Sequence, residues 1–132
     1  MKKSWNTQEI AEFTRDILGC GCPERVFNKI EVTRVGKGVL PLAATRINVG
    51  NTLLIYVIRP ESHKELLGAI GKLVSKGRAD RDGNGFNRFR LVIAGDAREL
   101  NSNVATGKLS AEAGWDEKMH LHFVPADSVH GL

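Results

Sequence analysis

The apolar positions of this 132-residue chain follow two periods, one helical and one alternating, separated by glycine and proline. Ile10, Phe13, Ile17 and Leu18 recur at helical spacing, with Asn6 and Glu9 placed to cap the start and Gly19 to close the end. This predicts a helix over 7–18. Residues 29–35 alternate apolar and polar with β-branched side chains, which predicts a half-buried strand, and Gly36-Lys37-Gly38 breaks it. The runs 45–49 and 52–58 flank Gly50-Asn51, which predicts a hairpin closed by a two-residue turn with Gly50 supplying the positive φ. The unbroken apolar run 53–58 predicts a central strand covered on both faces.

Ser62 and Glu65 form a capping signature, and Leu66, Leu67, Ile70, Leu73 and Val74 line one face of a helix expected over 62–76, ended by Gly77. A polar loop is expected over 78–87, then a buried strand over 89–95, joined to the preceding strand by a parallel crossover through the helix. Asp96 is a candidate cap for a short helix through Leu100. The stretch 101–117 is weakly patterned, with Ser110 a candidate start for one more turn, and residues 119–124 read as a last strand. The expected fold is therefore α/β (α+β): a single mixed sheet of about five strands with helices packed on it, in the order α-β-β-β-α-β-(α)-β, as one domain over 1–132.

Composition narrows the function classes. Hydrophobic residues at 42% and charged residues at 26% are globular values, which disfavours disorder and fibrous repeats. No stretch reaches the roughly 18–20 apolar residues of a bilayer span, and the polar start lacks the apolar run of a secretory signal, so no membrane role and a cytoplasmic location are expected. The net charge of +4 is concentrated: six basic residues against two acidic lie between Lys72 and Arg90. Within that segment Lys76, Arg78, Arg81 and Arg88 are candidate nucleic-acid contacts, with Phe86 and Phe89 as stacking candidates.

Cys20-Gly21-Cys22 is the first candidate for chemistry, because one intervening glycine lets two thiols reach each other or one soft metal ion. Cys22 precedes Pro23 at an expected helix start, where the partial positive charge favours thiolate; Cys20 follows a helix end and feels the opposite field. That asymmetry assigns Cys22 as nucleophile and Cys20 as resolving thiol. His120 and His122, two apart on a strand, share a face and would complete a Cys2His2 set for Zn or Cu if the strand met the Cys corner. Two buried thiols at a tight corner and two histidines on the polar side of an edge strand are the plain structural alternatives. Residues 80–85 match the first half of a calcium loop, but Leu91 stands where its bidentate Glu belongs, so calcium is not expected.

The order helix, three strands, helix, strand resembles the core of the PD-(D/E)XK nuclease superfamily, which implies metal carboxylates on the second and third strands. Residues 45–49 and 52–58 contain no Asp or Glu, so the resemblance implies the layout without the nuclease chemistry. Three functional expectations result: thiol redox or soft-metal binding through Cys20 and Cys22; a non-catalytic domain that binds a protein partner or a second copy of itself; and nucleic-acid binding through the basic loop 76–90.

Overall fold

The computed structural model describes residues 7–14, 29–36, 42–96, 98, 100, 102–112 and 114–129. The elements are α1 (Thr7–Glu12), β1 (Ile30–Val35), β2 (Ala44–Val49), β3 (Leu53–Ile58), α2 (His63–Gly83), β4 (Arg88–Ala94), α3 (Ser102–Ala111), β5 (Met119–Val124) and a closing 3-10 turn at Ala126–Val129. The strands form one mixed five-stranded sheet, as the sequence pattern predicts, and lie in it in the order β1-β2-β3-β4-β5. β1, β2 and β3 pair antiparallel; β3, β4 and β5 pair parallel, with α2 and α3 as the crossovers. Among the described residues, no helix is long and apolar enough to cross a membrane.

β3 sits third of five with all six residues buried, because its alternate side chains enter two different cores. On one face Leu54, Tyr56 and Ile58 pack with Phe89, Leu91 and Ile93 under Leu66, Ile70 and Leu73 of α2 and Leu109 of α3. On the other face Leu53, Ile55 and Val57 pack with Ile47 and Val92 under Ile10 and Phe13. The result is a sheet sandwiched between helical layers.

Local differences from expectation have identifiable causes. The hairpin connection spans 50–52, since Val49 pairs with Leu53, and both Gly50 (φ 60) and Asn51 (φ 56) take positive φ. The Asn51 amide donates to Asn48 Oδ1 at 2.8 Å, the kind of local bond that makes Asn tolerable there. Thr52, the extra residue, accepts the Asn87 amide through its carbonyl at 2.7 Å and so anchors the hairpin to the start of β4.

The larger correction is α2, which runs to Gly83, so residues 78–83 of the expected loop are helical and Gly77 terminates nothing. The stop lies at Asn84 and Gly85, where the Asn84 amide donates to the Asp80 carbonyl and Gly85 takes φ 74. At the other end Ser62 Oγ accepts the Glu65 amide at 3.1 Å as expected, while Glu65 Oε1 accepts the amide of Glu61, one residue before the cap. Ser110 lies in the last turn of α3 rather than at a helix start; its hydroxyl donates to the Thr106 carbonyl at 3.0 Å. α3 escaped the pattern because only Ala105 and Leu109 are buried on it. Asp96 accepts the Arg98 amide at 2.8 Å through its carboxylate and the Leu100 amide through its carbonyl, and no helix is described at this position, where a short one is expected.

Candidate functional site

Strand alternation divides β4 and β5 into two rows. Phe89, Leu91, Ile93 and Met119 point to the α2 side, whereas Arg88, Arg90, His120 and His122 point to the α1 side. Val92, Ala94 and Val124 continue that second row into the apolar core, so the polar groups occupy its amino-terminal half. Arg90 is directly opposite His120, and Val92 directly opposite His122. The long Arg90 side chain reaches along the diagonal, and its Nη1 lies 2.8 Å from His122 Nε2.

A guanidinium only donates, so Nε2 of His122 must be the acceptor, which puts the imidazole proton on Nδ1 and leaves the ring neutral. The electrostatics agree. Burial, then Arg90 and His120, lower the His122 pKa to about 4. Burial, then Arg90 and Arg88, lower that of His120, and burial followed by Arg88 lowers that of Arg90. The four groups share one face of the sheet, half-buried at Arg90, His120 and His122 and exposed at Arg88, with Arg90 bonded to His122.

The residues expected to bind nucleic acid do not form one surface. Lys76 and Arg78 are exposed on α2, whereas Arg88 lies on the opposite side of the sheet. Arg81 is turned inward, only 5% exposed, and its fork donates to both Asp116 oxygens at 2.8 and 2.7 Å. Phe86 and Phe89 are buried, one beneath the Arg46 guanidinium and the other edge-on to Tyr56, so neither presents a ring to a base. The expected polar loop is thus corrected in part. Residues 76–83 are helical, and the structure groups Arg88 with the two histidines of the metal set and with Arg90.

Cys20 and Cys22 lie outside the described residues. His120 and His122 share a face as expected, but the Nε2 lone pair of His122 already accepts from Arg90. Among the described residues no group of three or more His, Cys, Asp or Glu is placed to hold a metal ion. β2 and β3 carry no carboxylate, and the positions that face α2 hold Arg46, Asn48 and Tyr56 instead.

Asp80, from the rejected calcium motif, belongs to a closed network. Arg46 Nε and Nη2 donate to its two oxygens at 2.7 and 2.8 Å, Tyr56 Oη donates at 2.6 Å and Asn84 Nδ2 at 2.8 Å. With two donors on each oxygen, the carboxylate is satisfied by protein and clamps α2 to β2 and β3. Sequence reasoning missed this network, because its partners are 24 and 34 residues apart. It also missed Arg90, although the period-2 alternation of β4 and β5 places Arg90 on the face of Arg88, and both histidines on a common face of β5. Comparison of the chain with family models, with curated proteins and with solved structures found no match.

Proposed function

We propose that the protein binds nucleic acid by its phosphates, through Arg88, Arg90, His120 and His122 on the α1 side of β4 and β5. One observation carries this reading: two arginines and two histidines from neighbouring strands share one face of the sheet, with Arg88 exposed. A phosphate anion accepts charge-assisted bonds from guanidiniums presented on such a face. A nucleic-acid role also fits the cytoplasmic location expected from the sequence.

Anisotropy of a labelled single-stranded oligonucleotide tests the proposal. Two phosphate contacts predict about a sevenfold loss of affinity between 50 and 200 mM salt. Arg88→Gln, at an exposed position, should weaken binding and flatten the salt slope, while Lys76→Gln should change neither. Binding indifferent to salt, or lost with Lys76 and kept without Arg88, would place the contacts elsewhere.

A thiol role stands as a second proposal, with Cys22 attacking or ligating and Cys20 resolving or co-ligating. It is favoured by the position of Cys22 before Pro23 and tested by thiol quantification across redox buffers, with Cys22→Ser as control. Two thiols that never pair and take up neither Zn nor Cu would remove it.

A further inference from the structure

Residues 80–85, which carry the first half of a calcium loop, end in Asn84-Gly85, the one place in the chain where glycine follows an asparagine. After every other asparagine stands Thr, Lys, Val, Arg or Ser, whose Cβ crowds its own amide nitrogen. Gly85 has no Cβ, nothing lies within 4 Å of where one would stand, and both Asn84 and Gly85 are exposed.

The backbone around this step is unevenly bonded. The Asn84 amide donates to the Asp80 carbonyl at 3.1 Å and the Phe86 amide to the Arg81 carbonyl at 2.9 Å, closing the end of α2. Among the described residues, the Gly85 amide between them meets no acceptor. Its nitrogen therefore gives up no bond when it acts as a nucleophile. The electrophile is the neighbouring side-chain carbon, Asn84 Cγ, whose Nδ2 donates to the Asp80 carbonyl at 3.0 Å and to Asp80 Oδ1 at 2.8 Å. Attack requires the peptide after Asn84 to swing away from its ψ of 5°, and Gly83 and Gly85 on either side, with open space at each, leave room for that motion.

We infer that Asn84 is a site of spontaneous deamidation, and that its conversion loosens the Asp80 clamp. The Gly85 amide loses its proton to hydroxide, its nitrogen bonds to Asn84 Cγ, and the Cγ–Nδ2 bond breaks as the departing amide nitrogen takes a proton from water and leaves as ammonia. Water then opens the succinimide ring at either carbonyl, leaving aspartate or isoaspartate at residue 84. An ionised carboxylate only accepts, so Asp80 loses one of its four donors and gains a like charge in its place. The network that holds α2 to β2 and β3 is weakened from its exposed end. This inference is independent of the nucleic-acid reading, since it uses none of the same residues.

Incubation of the full chain in mildly alkaline buffer, followed by tryptic mapping with tandem mass spectrometry, tests it. The tryptic peptide 82–88 holds both Asn84 and Asn87, so the two are compared within one fragment. Asn84 should convert faster than Asn87 and every other asparagine, and the incubated chain should unfold at lower urea than fresh protein. Asn84→Gln, whose longer side chain must close a larger ring, should keep its midpoint through the same incubation. Asn84→Asp should reproduce the loss without incubation and exceed that of Asn84→Ala, which removes the donor and adds no charge. Asn87 converting as fast as Asn84 would overturn the assignment of the site, and Asn84→Asp as stable as Asn84→Ala would overturn its effect on the clamp.

Discussion

Gly77 of α2 lies against the ring of Phe89 on β4 so closely that a Cβ at residue 77 would stand 2.6 Å from the ring Cζ and 3.0 Å from its two neighbours. The glycine that looks like a helix terminator is the point where helix backbone meets an aromatic ring. Phe89 has no exposed surface and is also edge-on to Tyr56, with ring centroids 5.0 Å apart, so it has little room to move.

Alanine at 77 should therefore destabilise, against the usual sign. In an open helix Gly→Ala gains about 1 kcal/mol, whereas overpacking a buried contact costs about 1–3 kcal/mol. Urea unfolding of Gly77→Ala should show a lower midpoint, partly restored by Phe89→Leu in the same chain. A raised midpoint would mean that the ring yields freely.

Removing Asp116 should leave Arg81 buried without its fork partner. The expected loss is toward the lower end of about 3–5 kcal/mol, because Asp82 Oδ1 stays 3.0 Å from Arg81. Arg81→Lys should fail to replace the pair, since an ammonium cannot make two parallel bonds. Thermal unfolding of Asp116→Ala and Arg81→Lys measures both, and a lysine variant as stable as the parent would deny the fork its role.

The Asp80 network should show in acid. Burial pushes the Asp80 carboxyl up, but the bonds from Arg46, Tyr56 and Asn84 outweigh it, and its pKa lies below the ordinary 3.8. A folded pKa below the unfolded one stabilises the protein above pH 3.8, and that contribution is lost as pH falls through the folded value. Asp80→Asn should be less stable than the parent at pH 7, and the gap should narrow below pH 4. A gap of constant size would show that the charge on Asp80 contributes nothing.

His122 titrates in a different window. Its folded pKa of about 4 lies below the unfolded 6.5, so the unfolded chain binds the extra proton first and stability falls as pH drops from about 6.5 to about 4. His122→Gln should reduce that slope, with the remainder coming from His120, whose pKa is also lowered. Equilibrium unfolding at a series of pH values gives the comparison, and an unchanged slope in His122→Gln would assign the titration elsewhere.

The strands, the hairpin, the parallel crossover and the cap at Ser62 are legible in the chain because each is announced within a few residues, by alternation, by Gly50-Asn51 or by a capping pair. α3 and the last two turns of α2 are not. α3 buries too little to show a stripe, and α2 continues past Gly77 because Asp80 and Arg81 find partners on β2, β3 and the segment before β5. Charged residues that would mark a loop in isolation mark a packed helix once those partners are in place.

The same division applies to the candidate sites. Arg88, His120 and His122 are each recognisable by residue type, but type alone points them to separate functions because it does not say which side chains meet. Local sequence encodes the period of burial and therefore the elements and their apolar faces. Register between β4 and β5 decided that Arg90 bonds His122, and the packing of α2 beside the segment before β5 decided that Arg81 is spent on Asp116. Those are distances between segments brought together only when the sheet closes its order.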